Sequence, residues 1–232
     1  MKVCVLMPTY NEMGPLTQTV EAVVQVAPDL DLLIIDDNSP DGTGDLADLL
    51  ANKHPQLRVL HRQAKQGLGR AYIAGFEWAI ENGYDFIVQM DADGSHRPDD
   101  LPLVVEAAAE NRLVIGSRWV PGGAVLNWPW HRQWISRAGN LYARLTLRSH
   151  VKDITAGFRC YPVSFLTGLE LELVRAQGYG FQIEMTKLAQ DSGVAVEEVP
   201  ITFVERESGV SKMTYKIIFE AFWLCTKWAF RR

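Results

Sequence analysis

Five short apolar runs, at 2–7, 31–36, 57–61, 85–90 and 112–116, alternate with four longer stretches at 15–27, 43–53, 69–82 and 99–110. In the longer stretches apolar residues recur at three- and four-residue spacing, the period of a helix with one buried face. Regular alternation of this kind implies an α/β fold, a mostly parallel central sheet with helices on both faces. In such a sheet ligands bind beyond the carboxyl ends of the strands. The residues that follow the runs are therefore the informative ones: Pro8-Thr9-Tyr10-Asn11-Glu12, Asp36-Asp37-Asn38-Ser39-Pro40-Asp41-Gly42-Thr43 and Asp91-Ala92-Asp93-Gly94-Ser95-His96. Polar, carboxylate-rich loops line one edge of the sheet. Neither GxGxxG nor GxxxxGKS occurs, so a dehydrogenase or P-loop reading has no support.

Asp91 and Asp93 lie one residue apart at a strand end. Such a pair faces water, shifts its pKa, or holds a hard divalent cation together with substrate phosphate oxygens. A bare DxD is also an ordinary solvated turn capping the helix that starts near Pro98. Asp36-Asp37 allows two readings as well, a sugar or base contact through Asp37 and a turn shaped by Asp41 and Thr43. Gly67-Leu68-Gly69 offers backbone N–H groups at a helix start, where phosphate binds, yet fits a plain helix entry equally.

Charge is divided unevenly. Residues 1–111 carry 7 basic and 18 acidic side chains, and residues 112–232 carry 16 and 10. The overall balance of -5 argues against a nucleic-acid binder. In the basic half, Arg118, Arg132, Arg137, Arg159, Arg206 and Lys212 fall in or beside loops. Arginines near metal-holding carboxylates suit a substrate with more than one phosphate. Beyond residue 117 a Gly/Pro/Trp-rich stretch, 119–130, precedes a helix at 131–148, a loop and strand at 153–160, a helix at 180–191, a strand at 194–204 and a final helix. That final segment, 213–232, mixes aromatic and cationic residues, so it either lies on a membrane interface or packs on the sheet or a second copy. No run of about 18 apolar residues is present, so no transmembrane helix is expected. Cys4, Cys160 and Cys225 are far apart and in no CxxC pattern, which reads as a reduced, cytoplasmic chain.

Taken with Gly116-Ser117-Arg118, the string from Asp153 to Tyr161, Phe181-Gln182-Ile183-Glu184 and Val204-Glu205-Arg206 through Met213, the loop motifs resemble inverting family 2 glycosyltransferases of the GT-A fold. Within that family the ordered set is similar to the polyprenol (dolichol) monophosphate mannose synthases, over essentially the whole chain. The resemblance implies a catalytic domain at 1–212, with a donor half to about 117 and an acceptor half after it, and a membrane-interface helix at 213–232. It implies GDP-mannose as donor and a polyprenyl phosphate as acceptor. Carried over by position, Pro8, Tyr10, Glu12 and Asp37 hold the guanosine part, and Asp91, Ala92 and Asp93 meet the diphosphate. Asp91 and Asp93 bind Mg2+ or Mn2+, Arg206 and Lys212 clamp the diphosphate, and Arg118, Arg132 and Ser136 face the acceptor phosphate. Some relatives place a metal-binding Gln where this chain has Ser95, so a hydroxyl or a water takes that position here.

A phosphate monoester is largely dianionic at neutral pH, its second pKa being about 6, and needs no strong base to act as nucleophile. The expected catalytic set is therefore Asp91, Asp93, Arg118 and Arg206, with Asp93→Ala abolishing transfer and Arg118→Ala impairing acceptor use. A long prenyl acceptor implies peripheral binding to the cytosolic face of a membrane, through 213–232 and 119–134, with or without an anchoring membrane protein. The rivals are a UDP-glucose or UDP-GlcNAc polyprenyl-phosphate transferase, a family 2 enzyme with a saccharide acceptor and Asp153 as base, and a nucleotide-sugar-binding or membrane-scaffold protein without turnover.

Overall fold

The structure, a computed structural model, describes residues 1–205 and the backbone of 215–230, with side chains in that last segment from 220 to 229. The first half follows the alternation of the sequence: β1 (Val3–Thr9), α1 (Met13–Val26), β2 (Asp31–Asp36), α2 (Thr43–Lys53), β3 (Leu57–His61), α3 (Leu68–Glu81), β4 (Phe86–Gln89), α4 (Leu101–Glu106) and β5 (Arg112–Ser117). The second half adds β6 (Ala124–Leu126), α5 (Trp130–Leu147), β7 (Arg159–Pro162), α6 (Val163–Thr167), α7 (Gly178–Asp191), β8 (Ala195–Pro200), β9 (Thr202–Val204) and α8 (Tyr215–Phe230).

Seven strands form one sheet in the order β3-β2-β1-β4-β7-β5-β8, parallel except for β7, which runs against both neighbours. Successive side chains of a strand point to opposite faces, and β1 uses both. Val3, Val5 and Met7 pack with Leu16, Val20 and Val23 of α1. Cys4 and Leu6 pack with Tyr72, Ile73 and Phe76 of α3. Helices α1, α2 and α4 thus cover one face, and α3, α5, α7 and α8 the other. Thr9 pairs with Asp36 and Asp36 with His61, so the polar loops after β1, β2 and β3 leave from one edge.

The loop and strand expected at 153–160 are both present, the loop over 153–158 and the strand at Arg159–Pro162. Two other expectations are corrected. The strand foreseen at 194–204 divides after Pro200: β8 stays in the main sheet, while β9 pairs with β6 in a separate ribbon. Strand β6 is only three residues long, too short for any alternation to register. Helix α4 ends at Glu106 instead of 110, where the Arg112 guanidinium binds the Ala107 carbonyl and the chain turns into β5.

Helix α8 is an integral part of the second layer. Its Ala221 and Cys225 are buried, and the Tyr142 and Thr226 hydroxyls share a hydrogen bond of 2.6 Å. Phe222 and Trp223 remain exposed, and Lys227 lies over the Trp223 ring. On α5, Trp130, Trp134, Leu141 and Leu145 recur at helical spacing and are all exposed, beside Arg137 and Arg148, which are exposed too. No helix among the described residues is long and apolar enough to cross a membrane.

Candidate active site

The loops after β1 and β2 hold each other in place. Asp36 accepts the Thr9 hydroxyl (3.1 Å) and the Ser39 N–H and hydroxyl (3.0 and 2.6 Å). Asp41 accepts the N–H and hydroxyl of Thr43, whose hydroxyl oxygen in turn takes the Glu12 N–H at 3.0 Å. Burial is the largest single influence on the Asp41 carboxyl and raises its pKa, the bonds from Thr43 and Met13 together outweigh it, and the carboxyl is held below the usual range. These two aspartates therefore shape the loops. Asp37 is paired with Arg62, and its burial pushes the carboxyl up against the pull of that guanidinium. The Lys65 ammonium lies 3.8 Å above the Tyr10 ring.

A cavity of about 370 Å³ opens beside these loops, with Pro8, Glu12, Lys65, Asp91, Ala92 and Asp93 in its wall. Tyr10 and Asp37 belong to the adjoining strand ends, outside that wall. The Asp91 N–H donates to Nδ1 of the buried His96 at 2.9 Å. In the neutral ring the proton then lies on Nε2, 3.8 Å from the Asp91 carboxylate. The His96 ring stacks on Phe158 and meets Phe203 edge-on, which fixes its plane. Tyr72, kept protonated by burial and by Asp91, approaches that carboxylate from below at 3.5 Å. Asp93 Oδ1 accepts the Ser95 N–H at 3.0 Å, in a turn made possible by Gly94 at φ +77°. Two carboxylates and a buried Ser95 in one wall make a hard oxygen donor set. No cluster of three or more His, Cys, Asp or Glu able to hold an ion occurs among the described residues. The set thus suits a divalent ion that takes its remaining ligands from phosphate and water.

Across the cavity stands Arg118, 5% exposed, gripped by Asp153, 0% exposed. The guanidinium donates to both Asp153 oxygens at 2.7 and 2.6 Å and to the Thr155 hydroxyl at 3.2 Å. The Arg118 backbone N–H adds a fourth bond, to Asp153. Burial works against the guanidinium charge, Asp153 outweighs it, and Arg118 is held firmly protonated. Asp153 is itself fixed by Glu198, which accepts its N–H at 2.9 Å. A carboxylate so engaged and out of contact with solvent cannot take a proton from a sugar hydroxyl, so Asp153 is removed as a candidate base.

Arg132 pairs with Glu205 and lies 4.1 Å over the Trp128 ring; all three line the cavity. Ser136, one turn further along α5, faces a second space of about 410 Å³. That groove runs between α5, α7 and α8, walled by Ile135, Tyr142, Ala143, Ile183, Phe222 and Cys225. It shares Trp128, Arg132, Thr155 and Tyr179 with the first cavity, so the two adjoin at the arginine end.

Two other arginines do not join this group. Arg159, expected beside phosphate, is fully buried and points into the protein. It donates to the carbonyls of Ala156 (2.7 Å), Ile154 (2.7 Å) and Gln182 (2.9 Å), pinning the 154–156 loop to α7. Arg137 lies on the exposed face of α5, over the Trp119 ring at 4.3 Å. Arg206 and Lys212 lie outside the described residues. Gly67 has φ +98°, a backbone conformation that requires glycine, and a Cβ there would meet the flexible end of the Gln177 side chain. His96, Trp128, Thr155, Gln177, Tyr179 and Gln182 complete the wall. Gln177 and Tyr179 stand in no quoted motif, whereas His96 lies inside the Asp91 string, Thr155 inside the string from Asp153 to Tyr161, and Gln182 inside Phe181-Gln182-Ile183-Glu184.

Residues 4–168 match the family model described as glycosyl transferase family 2. An undecaprenyl-phosphate mannosyltransferase of Micrococcus luteus is 50% identical over 228 residues, covering 98% of this chain and 94% of the relative. A polyprenol monophosphomannose synthase of Mycolicibacterium smegmatis is 48% identical over 229 residues, covering 98% and 86%. Among solved structures, glucosyl-3-phosphoglycerate synthase from Mycobacterium tuberculosis, in complex with Mn2+, UDP and glucosyl-3-phosphoglycerate, matches with a TM-score of 0.69 at 19% identity. That match covers 97% of this chain and 79% of the other, and it bears out the α/β fold of GT-A type.

Proposed function

This chain belongs to the family 2 glycosyltransferases, and from that membership we propose that it transfers mannose from GDP-mannose to a polyprenyl phosphate with inversion at the anomeric carbon. The observation that carries the reading is the pairing of the two adjoining spaces. One has carboxylates at its far end and arginines at its near end, and beyond the arginines an apolar groove begins. A lipid phosphate has that polarity, a dianion on an apolar tail. The two relatives above are named for transfer of mannose to such lipids.

In this reading Asp91 and Asp93, with Ser95 or a water, hold Mg2+ or Mn2+; the ion supplies positive charge to the leaving diphosphate. The solved neighbour's complex with Mn2+ and UDP supports divalent metal in this fold. His96 holds the Asp91 backbone N–H and Tyr72 meets its carboxylate, which together keep Asp91 in place for that role. Pro8, Tyr10, Glu12 and Asp37 serve the nucleoside, and Arg206 and Lys212 the diphosphate. Arg118, immobilised by Asp153, and Arg132, stacked on Trp128, position the acceptor phosphate with Ser136 at the groove entrance. Positioning of this kind lowers the barrier without a general base, because the acceptor already carries its negative charge. The exposed apolar stripe of α5, beside Arg137 and Arg148, and the exposed Phe222 and Trp223 of α8 supply a membrane-facing surface. That surface supports peripheral binding to a membrane, and in this reading the membrane face is the cytosolic one, with the chain bound alone or with an anchoring protein.

The test is a transfer assay with labelled GDP-mannose, GDP-glucose and UDP-glucose, each offered to short and long polyprenyl phosphates. The reading requires a lipid-extractable mannose product. A lipid product formed only from UDP-glucose, or label passing only to a soluble saccharide, would reject it.

A further inference from the structure

We propose that Gln182 is a specificity-determining residue that reads the hydroxyls of the transferred hexose, an inference that rests on the hexosyl-transfer reading of the cavity. Gln182 lines the cavity and is 3% exposed, yet its Oε1 has no hydrogen-bond partner among the described residues. Gln177 Oε1, in the same wall, is likewise without one. A buried amide left unpartnered costs about 1–3 kcal/mol, so such groups in folded proteins call for an explanation. Two of them in one cavity wall point to a ligand rich in hydrogen-bonding groups.

The position of Gln182 fits a hexose. Residues 155–157 run from one charged end of the cavity to the other. The Thr155 hydroxyl accepts from Arg118, while a Cβ on Gly157 would lie 3.6 Å from the His96 ring, which backs Asp91. The same Cβ would lie 3.8 Å from Gln182 Nε2, so Gly157 and Gln182 face each other. They stand between the carboxylates assigned to the diphosphate and the arginines assigned to the acceptor, where the sugar must pass. The absence of a side chain on Gly157 leaves the nitrogen end of the amide uncovered, and an amide offers one donor and one acceptor end to neighbouring hydroxyls. The backbone behind it is rigid: the Gln182 carbonyl accepts from both Arg159 and Thr186 at 2.9 Å. Arg159 thereby acts as a positioning residue, tying the 154–156 loop to the helix that carries Gln182.

The experiment compares wild type, Gln182→Met, which keeps the volume without hydrogen bonding, and Gln182→Glu, which keeps the shape and loses the donor. The readouts are GDP affinity by calorimetry and the ratio of kcat/KM for GDP-mannose over GDP-glucose. The expected result is a ratio lowered about fivefold to a hundredfold, the size of one hydrogen bond to a buried polar group, with GDP affinity unchanged. An unchanged ratio in a folded variant overturns the inference, whatever happens to kcat. If Gln182→Met does not fold, Gln182→Glu carries the same test. Should the wild type use another nucleotide hexose, the ratio is taken between that donor and its epimer, so the mannose reading fails while this inference is still decided. Absence of transfer from every nucleotide hexose refutes both.

Discussion

Asp153→Asn is the most informative single change, because it separates the holding of Arg118 from the chemistry that Arg118 serves. The substitution keeps the shape but removes the charge that balances a guanidinium only 5% exposed, and it turns two acceptor oxygens into one. Removing one partner of a buried ion pair costs about 3–5 kcal/mol. For a chain of 232 residues each kcal/mol lowers Tm by about 2–4 °C, so a fall of about 6–20 °C is expected. Urea denaturation gives the free energy directly. The double variant Arg118→Met/Asp153→Leu removes both charges, at the cost of the acceptor for the Arg118 N–H and the Thr155 hydroxyl, both now bonded to Asp153. Its loss should therefore fall short of the sum of the two single losses by about 2 kcal/mol or more. A loss below about 1 kcal/mol for Asp153→Asn, or strict additivity in the cycle, would refute the claim that this pair is a desolvated clamp. The same reasoning makes Arg118→Ala a poor test of acceptor binding, since it leaves Asp153 buried and unpaired.

Gly67→Ala puts an L residue at φ +98° and displaces the end of the Gln177 side chain, so stability should fall by about 1–3 kcal/mol, checked by a thermal melt. Arg159→Met leaves the buried carbonyls of Ala156 and Ile154 without their donor, while that of Gln182 keeps Thr186, and should destabilise by about 2 kcal/mol or more, read from the urea midpoint. Trp134→Glu combined with Leu145→Glu alters only exposed positions of α5, so sedimentation with anionic vesicles should drop severalfold while solution stability is unchanged.

The strands and helices of the first half are legible because their periods are local: β1 alternates between two cores and α1 and α3 repeat every three to four residues. The Asp91 motif is legible because a strand end and a loop are adjacent in the chain. Arg118 and Arg159 show where local reading stops. Both stand beside loops in the sequence, yet the antiparallel insertion of β7 between β4 and β5 turns Arg159 into the interior. The partner of Arg118 stands 35 residues away, so only the fold reveals that Asp153 is a clamp and not a base. Gln182 lies on the buried side of a helix whose neighbours Phe181 and Ile183 read as core, which hides its place in the cavity wall. The break after Pro200 is invisible for a similar reason, because the pairing of β9 with β6 depends on a segment with no pattern of its own.

The central claim is that one cavity serves donor and lipid phosphate at opposite ends, and steady-state kinetics of Arg132→Met and Asp93→Asn test it most directly. Arg132 is only partly buried, so its loss does not leave a charge stranded in the core. Losing a charge-assisted bond of about 1.5–3 kcal/mol should raise KM for the polyprenyl phosphate about tenfold to a hundredfold, with GDP affinity unchanged. Asp93→Asn should collapse transfer and metal-dependent GDP affinity while leaving lipid binding to vesicle-bound enzyme intact. Both variants moving the same parameter, or Arg132→Met weakening GDP alone, would contradict the account.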